Sequence, residues 1–159
     1  MSPLKPVNSE LVAVAWAQSV TGIPANRVAR TLGREHESWA ATGFVVATIV
    51  GGAPWQTTPV SVPVVQFECW ACNAGSVSTP PWGIAFTLAE YLKRACEVDN
   101  ADRSKIVTVP NGFEQALVRD ASTLTEPRRS PVPSPEGFAR VIMDVQLEWT
   151  RYNPEEHPA

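Results

Sequence analysis

Phe138-Ala139-Arg140-Val141-Ile142-Met143-Asp144-Val145-Gln146-Leu147-Glu148-Trp149-Thr150-Arg151 alternates apolar and polar side chains over most of its length. A period of two belongs to a β-strand with one buried face. Ala139, Val141, Met143, Val145, Leu147 and Trp149 point one way. Arg140, Ile142, Asp144, Gln146 and Glu148 point the other. At about 3.4 Å per residue the strand would span roughly 45 Å, so it organises whatever sheet the chain builds.

Working outward from it, residues 62–71 repeat the alternation. Val65, Phe67, Cys69 and Ala71 oppose Val64, Gln66, Glu68 and Trp70, and Pro63 sits at the start, where a strand tolerates it. Residues 43–50 are β-branched and bounded by turn residues, which predicts a mostly buried strand ended by Gly51-Gly52-Ala53-Pro54. Weaker strand patterns occupy 105–109 and 114–121. A helix is expected over 9–20, with Asn8 or Ser9 as cap and Gly22 and Pro24 as stop. A second is expected over 82–98, where Ala85, Leu88, Ala89, Leu92, Ala95 and Cys96 recur at helical spacing. Residues 25–40 read as a polar loop with a short helical turn. Residues 122–137 hold four prolines beside Arg128 and Arg129 and are expected to interrupt any ladder, forming a long excursion. The tail from Asn153 is polar.

The resulting order, α-β-β-α-β-β, predicts an α+β domain: an antiparallel sheet with helices packed on one face and extended Pro-rich loops. One domain is expected over 1–159, with its ordered core at about 9–152. The uncovered sheet face, carrying Gln66, Glu68, Asp144, Gln146 and Glu148, would meet solvent, a partner or a channel lumen. In a lumen its carboxylates would repel DNA.

Composition narrows the function classes. The chain has 159 residues, 44% hydrophobic and 18% charged, which suits a folded domain and not a disordered one. A net charge of -3 gives no basic field for gripping nucleic acid. No apolar run approaches the roughly 20 residues of a membrane span, and residues 1–6 lack the pattern of a signal peptide. Three cysteines rule out a disulfide scaffold and fit a reducing cytoplasm. Fifteen prolines imply stiff connections, and six tryptophans include some in Pro-rich loops, where they suit packing against a partner.

Chemical motifs are few. Cys69-Trp70-Ala71-Cys72 is a CxxC at the end of a strand, where positions i and i+3 face opposite ways. A redox pair needs its first sulfur at a helix N-terminus, and zinc needs ligands beyond Cys96, His36 and His157. Two apolar strand residues are the simpler reading. His36, between Glu35 and Glu37, reads as a solvated loop residue. The GxSxG, HExxH, P-loop and GxGxxG patterns are missing from the sequence. Arg128 and Arg129 can meet phosphate, protein or solvent, and two arginines make only a small electrostatic contribution to DNA binding.

A family resemblance adds to this. Val64-Val65-Gln66-Phe67-Glu68-Cys69-Trp70-Ala71, followed by Ala85-Phe86-Thr87-Leu88-Ala89-Glu90-Tyr91-Leu92, resembles the "v-Q-v-d-v-W-a … A-x-x-L-a-x-x-v" signature of tail terminator proteins from long-tailed phages, especially those of actinobacterial hosts. The early helix, the strand ending in Gly51-Gly52 and the Pro/Arg loop feeding a last strand that ends Trp149-Thr150-Arg151-Tyr152 are similar too. Together they cover about residues 10–152. Segments 21–42 and 122–137 depart from the pattern.

The resemblance implies a virion structural protein at the tail-neck junction, assembled in the bacterial cytoplasm. It would form a homo-hexameric ring that caps the tail tube, stops its polymerisation and meets the head-completion (stopper) protein. DNA would pass through without sequence-specific binding. No catalytic residue, cofactor, metal or membrane is implied. Candidate contacts lie in the 53–63 and 122–137 loops, at Trp55, Pro59, Arg128, Arg129, Pro131 and Pro133. The candidate lumen or solvent face carries Glu68, Asp144, Gln146 and Glu148. Two readings compete: another neck component (a stopper or head-tail connector), and a small cytoplasmic binding or thiol protein using Cys69 and Cys72.

Overall fold

The computed structural model describes residues 3–54, 58–73 and 80–155. Helix α1 runs Ser9–Gln18, its first turn capped by Asn8, whose side-chain oxygen accepts the Leu11 N–H at 2.9 Å. A helical turn at Ala25–Arg27 leads into strand β1 (Val28–Ala29), and a short helix α2 spans His36–Trp39. Strands β2 (Phe44–Pro54) and β3 (Ser61–Cys72) precede helix α3 (Trp82–Ala95). After a turn at Ala101–Arg103 come β4 (Lys105–Val107), β5 (Gln115–Thr123), β6 (Arg128–Arg129) and β7 (Phe138–Tyr152).

The strands form one sheet in the order β1-β2-β3-β7-β5-β4, with β6 also paired to β7. The alternating C-terminal strand is its centre: β3 lies along one flank, Phe67 opposite Met143, and β5 along the other, Ala121 opposite Leu147. The sheet is mixed rather than antiparallel throughout, because β1 runs parallel to β2. The class α+β holds, with the short strands β1 and β6 added to the five strand segments read from the sequence, so the observed order is longer than α-β-β-α-β-β.

Two expected breaks in the sheet do not occur. Gly51 and Gly52 do not end β2. A bulge between Ile49 and Gly51 shifts the register, and pairing resumes to Pro54 opposite Ser61. Gly52 makes this possible with φ +97°; a Cβ there would lie 2.2 Å from the Val62 carbonyl oxygen. Nor does 122–137 abandon the ladder. The Leu124 N–H reaches the Asp144 carbonyl at 2.9 Å, β6 pairs Arg128 and Arg129 with Ile142 and Val141, and the Ser130 N–H meets the Arg140 carbonyl at 2.9 Å. Pro127 and Pro131 only bracket the paired residues, so the true excursion shrinks to about 131–137.

α1 and α3 cover one sheet face. Val12, Trp16, Leu88 and Leu92 pack there against Val65, Phe67, Val141, Met143 and Leu147. The buried tryptophans keep their indole N–H groups satisfied: Trp16 donates to the Asp102 carbonyl at 2.9 Å and Trp149 to the Ser9 hydroxyl at 3.0 Å. The opposite face is not bare, as a one-sided arrangement of helices would leave it. Segment 28–42 crosses the β2 edge and places α2 there, so Trp39 buries itself against Phe44, Val46 and Cys72. Phe44 to Ala47 are therefore buried on both faces.

Candidate functional site

Beyond the Trp39 cluster, the second sheet face is a ladder of polar side chains on the even-numbered positions of β3 and β7. Glu68 and Arg140 stand at its inner end. An Arg140 Nη donates to the Glu68 carboxylate at 2.6 Å, and the Trp70 indole N–H donates to its other oxygen at 3.0 Å. The guanidinium also lies 5.1 Å from the centre of the Trp70 ring. Both charged side chains are largely withdrawn from water, 17% and 16% exposed. Past Ile142 on the same face of β7, Asp144 accepts from Gln66 at 3.4 Å and lies 3.9 Å from Arg128. Thr125 links these groups, its hydroxyl accepting from Arg128 and from the Asp144 N–H, both at 2.9 Å. Further out Arg119 approaches Glu148 at 3.9 Å. Gln146 is half-buried between Val64 and Ser122.

Each carboxylate expected on this face is thus matched by an arginine. Glu68, Asp144 and Glu148 do share one surface, but it carries alternating charge and not a purely acidic field. The sequence hid this because Arg119 and Arg128 come from β5 and β6, strands whose placement beside β7 is a tertiary fact.

The loop residues divide. Trp55 lies outside the described residues. Pro59 is exposed, and its carbonyl accepts the Thr150 hydroxyl at 2.8 Å, which ties the tip of the β2–β3 hairpin to β7. Arg128 and Arg129, expected as contact residues of a Pro-rich loop, alternate across β6 and face opposite sides of the sheet. Arg128 turns to Asp144, while the Arg129 guanidinium stacks 4.1 Å from the Trp82 ring at the start of α3. Pro131 and Pro133 are exposed on either side of the exposed Val132.

The cysteines face opposite ways, as strand geometry requires. Cys69 is fully buried under the helices, whereas Cys72 lies in the Trp39 cluster, its Sγ 3.8 Å from the His36 carbonyl. Burial, reinforced by Glu68, pushes the Cys69 thiol far up, and burial, reinforced by Glu37, raises Cys72. Burial also pushes Cys96 up to about 11. These shifts disfavour the thiolate that redox or nucleophilic chemistry needs. His36 stacks edge-on against Phe138, with ring centres 5.5 Å apart, and is half-buried, not simply a solvated loop residue. His157 lies outside the described residues. Among the described residues no group of three His, Cys, Asp or Glu side chains could hold a metal ion.

Other features had no signal in the sequence. Asp102 gathers the Lys105 ammonium at 2.7 Å and the Thr21 N–H at 3.0 Å, fastening the turn before β4 to the end of α1. Burial alone would raise its pKa, but the Lys105 and Thr21 contacts outweigh it and hold the carboxyl below its ordinary value. An apolar groove of about 620 Å³ runs along α3 between Ile84, Leu88 and Tyr91 and the Gly22–Pro24 turn. A hollow of about 540 Å³ lies beside the hairpin tip, lined by Pro59, Val60, Leu117 and Arg119 and by Thr150–Tyr152. A scan against known protein families finds no match to this chain, and a search of curated proteins finds none either.

Proposed function

We propose that this chain is a structural protein of a phage virion, the tail terminator: a ring-forming subunit that caps the tail tube, stops its polymerisation and offers the surface on which the head is joined. The observation that carries the reading is the arrangement of the segments that resemble the family. Val64–Ala71 lies in β3, the last strand β7 is its neighbour, and the 85–92 segment packs from α3 across both. Pieces separated in sequence meet as one unit.

The charge of the remaining surface is largely paired within the fold. Its close ion pairs join one element to another: Arg103 to Asp120 at 2.6 Å, Lys93 to Glu126 at 2.8 Å and Arg140 to Glu68. The cysteine reading is weakened by burial of both sulfurs on opposite faces.

The test is to delete the gene from its phage and image the lysate by negative-stain electron microscopy. Tails of uncontrolled length beside full heads are expected. Tails of normal length that fail to join heads would move the protein to a stopper or connector role, and normal infectious virions would refute a structural role.

A further inference from the structure

Residues 31–42, which contain α2, cross the end of the second sheet face, and only Trp39 among them is buried. The bonds that hold this segment in shape are its own. The Trp39 indole N–H donates to the Gly33 carbonyl at 3.1 Å and the Ser38 hydroxyl to the Glu35 carbonyl at 2.7 Å. The Thr42 and Gly43 N–H groups both donate to the Trp39 carbonyl, at 3.2 and 2.7 Å. Toward the rest of the fold the segment offers mainly apolar contact: Trp39 lies against Phe44 and Phe138, with ring centres 5.7 and 6.3 Å apart. One charge-assisted bond crosses to it, from an Arg27 Nη to the Ser38 carbonyl at 2.7 Å.

Both ends are anchored. Arg30 lies 3.3 Å from Glu10 of α1. Gly43, at φ +80°, is wedged where a Cβ would come within 2.9 Å of the Trp70 carbonyl oxygen and 2.6 Å of a Leu88 methyl. The cluster beneath the segment is separate from the main core: Trp39, Phe44, Val46 and Cys72, with Trp70 and Phe138 packed alongside. Lifting the segment breaks no ladder, since Phe44 stays paired with Trp70 and Cys72 with Phe138. A unit with internal bonds and one buried anchor opens at lower free energy than a sheet with cores on its strands.

We infer that residues 31–42 are a strap that opens as a unit while the sheet and helices stay folded, uncovering Phe44, Val46, Trp70, Cys72 and Phe138 beside the Glu68–Arg140 pair. The closed strap keeps hidden an apolar surface that the folded sheet carries ready-made. This inference is independent of the ring reading. Two sulfurs on one strand report on it: Cys69 lies under the helices and marks unfolding of the whole, while Cys72 lies in the Trp39 cluster and marks opening of the strap.

The test exposes the full chain to excess N-ethylmaleimide for hours, far longer than a thiol titration, at rising sub-denaturing urea, and assigns the labelled cysteines by peptide mass mapping. Wild-type Cys72 is expected to label at least about tenfold faster than Cys69, with a shallower urea dependence because opening exposes less surface than unfolding. Trp39→Ala should speed Cys72 at least about tenfold further and keep the circular dichroism and cooperative unfolding of a folded sheet. Arg27→Gln, which removes only the crossing bond, should speed it about threefold or more. Equal rates and equal urea dependence for Cys69 and Cys72 would overturn the inference, as would Cys72 labelling that neither variant accelerates. An unfolded Trp39→Ala protein would overturn it too, because strap and sheet would then be one cooperative unit.

Discussion

Substituting Glu68→Gln tests whether the inner end of the polar ladder holds the sheet together as the geometry implies. The pair Glu68–Arg140 is short, 2.6 Å, and both side chains are less than one-fifth exposed. Breaking a buried ion pair by removing one partner costs about 3–5 kcal/mol, because a desolvated charge is left behind. Glutamine can still accept from the Trp70 indole or the guanidinium, which recovers about 1 kcal/mol. The net expectation is a loss of about 2–4 kcal/mol, or roughly 5–15 °C in Tm for a chain of this size. The Arg140 Nε is already buried without a hydrogen-bond partner among the described residues, so they offer no spare acceptor at the site. Removing both charges in E68L/R140M should leave stability within about 1 kcal/mol of wild type. Urea unfolding followed by tryptophan fluorescence and far-ultraviolet circular dichroism measures these proteins together with the single variants Glu68→Leu and Arg140→Met, which close the double-mutant cycle and give the coupling energy. A Glu68→Gln protein within about 0.5 kcal/mol of wild type, or a double variant as unstable as the two singles summed, would refute the reasoning.

Three further outcomes are expected. Gly52→Ala should destabilise the hairpin by about 1–3 kcal/mol, since Gly52 has positive φ and no room for a Cβ, while Gly51→Ala, whose nearest neighbour would be 3.9 Å away, should be tolerated; hydrogen exchange of the hairpin amides distinguishes them. Asp120, lowered first by its bond to Arg103, and Asp102, lowered by Lys105 and Thr21 against the opposing effect of burial, both have folded pKa values below the unfolded ones. Their stabilisation is therefore complete above the unfolded carboxylate range near 4 and is lost as pH falls through the lowered folded values. Urea midpoints between about pH 2 and 6 should trace this loss, and Asp102→Asn should flatten it and reduce stability at neutral pH. In a thiol-titration assay at neutral pH, Cys69, Cys72 and Cys96 should stay unreactive in the folded protein and all react in urea; fast reaction of native Cys69 or Cys72 would revive the thiol reading.

The α+β class and the central elements of this fold were legible in the sequence because their signals are local. The two-residue period of 138–151 identifies a strand whatever surrounds it, and the spacing of Ala85, Leu88, Ala89 and Leu92 identifies a helix. Strand geometry also separates Cys69 from Cys72 without any knowledge of their neighbours. What periodicity cannot encode is which strand lies beside which. Two-residue strands such as β1 and β6 have no period at all, so 28–29 and 128–129 read as loop until β2 and β7 supply ladder partners. The Pro-rich segment shows the same limit: proline forbids a ladder bond only at its own nitrogen, and the residues between prolines remain free to pair.

The sequence by itself determined the period, polarity and reach of each long element, since these depend on backbone geometry and on side chains adjacent along the chain. Only the tertiary structure decided that Trp39 covers the second sheet face, that Arg119, Arg128 and Arg140 neutralise the carboxylates expected there, and that Arg128 and Arg129 face apart. Each of these depends on groups far apart in sequence, whose attraction and desolvation acquire their magnitude only when folding brings them within a few ångströms and excludes the water between them.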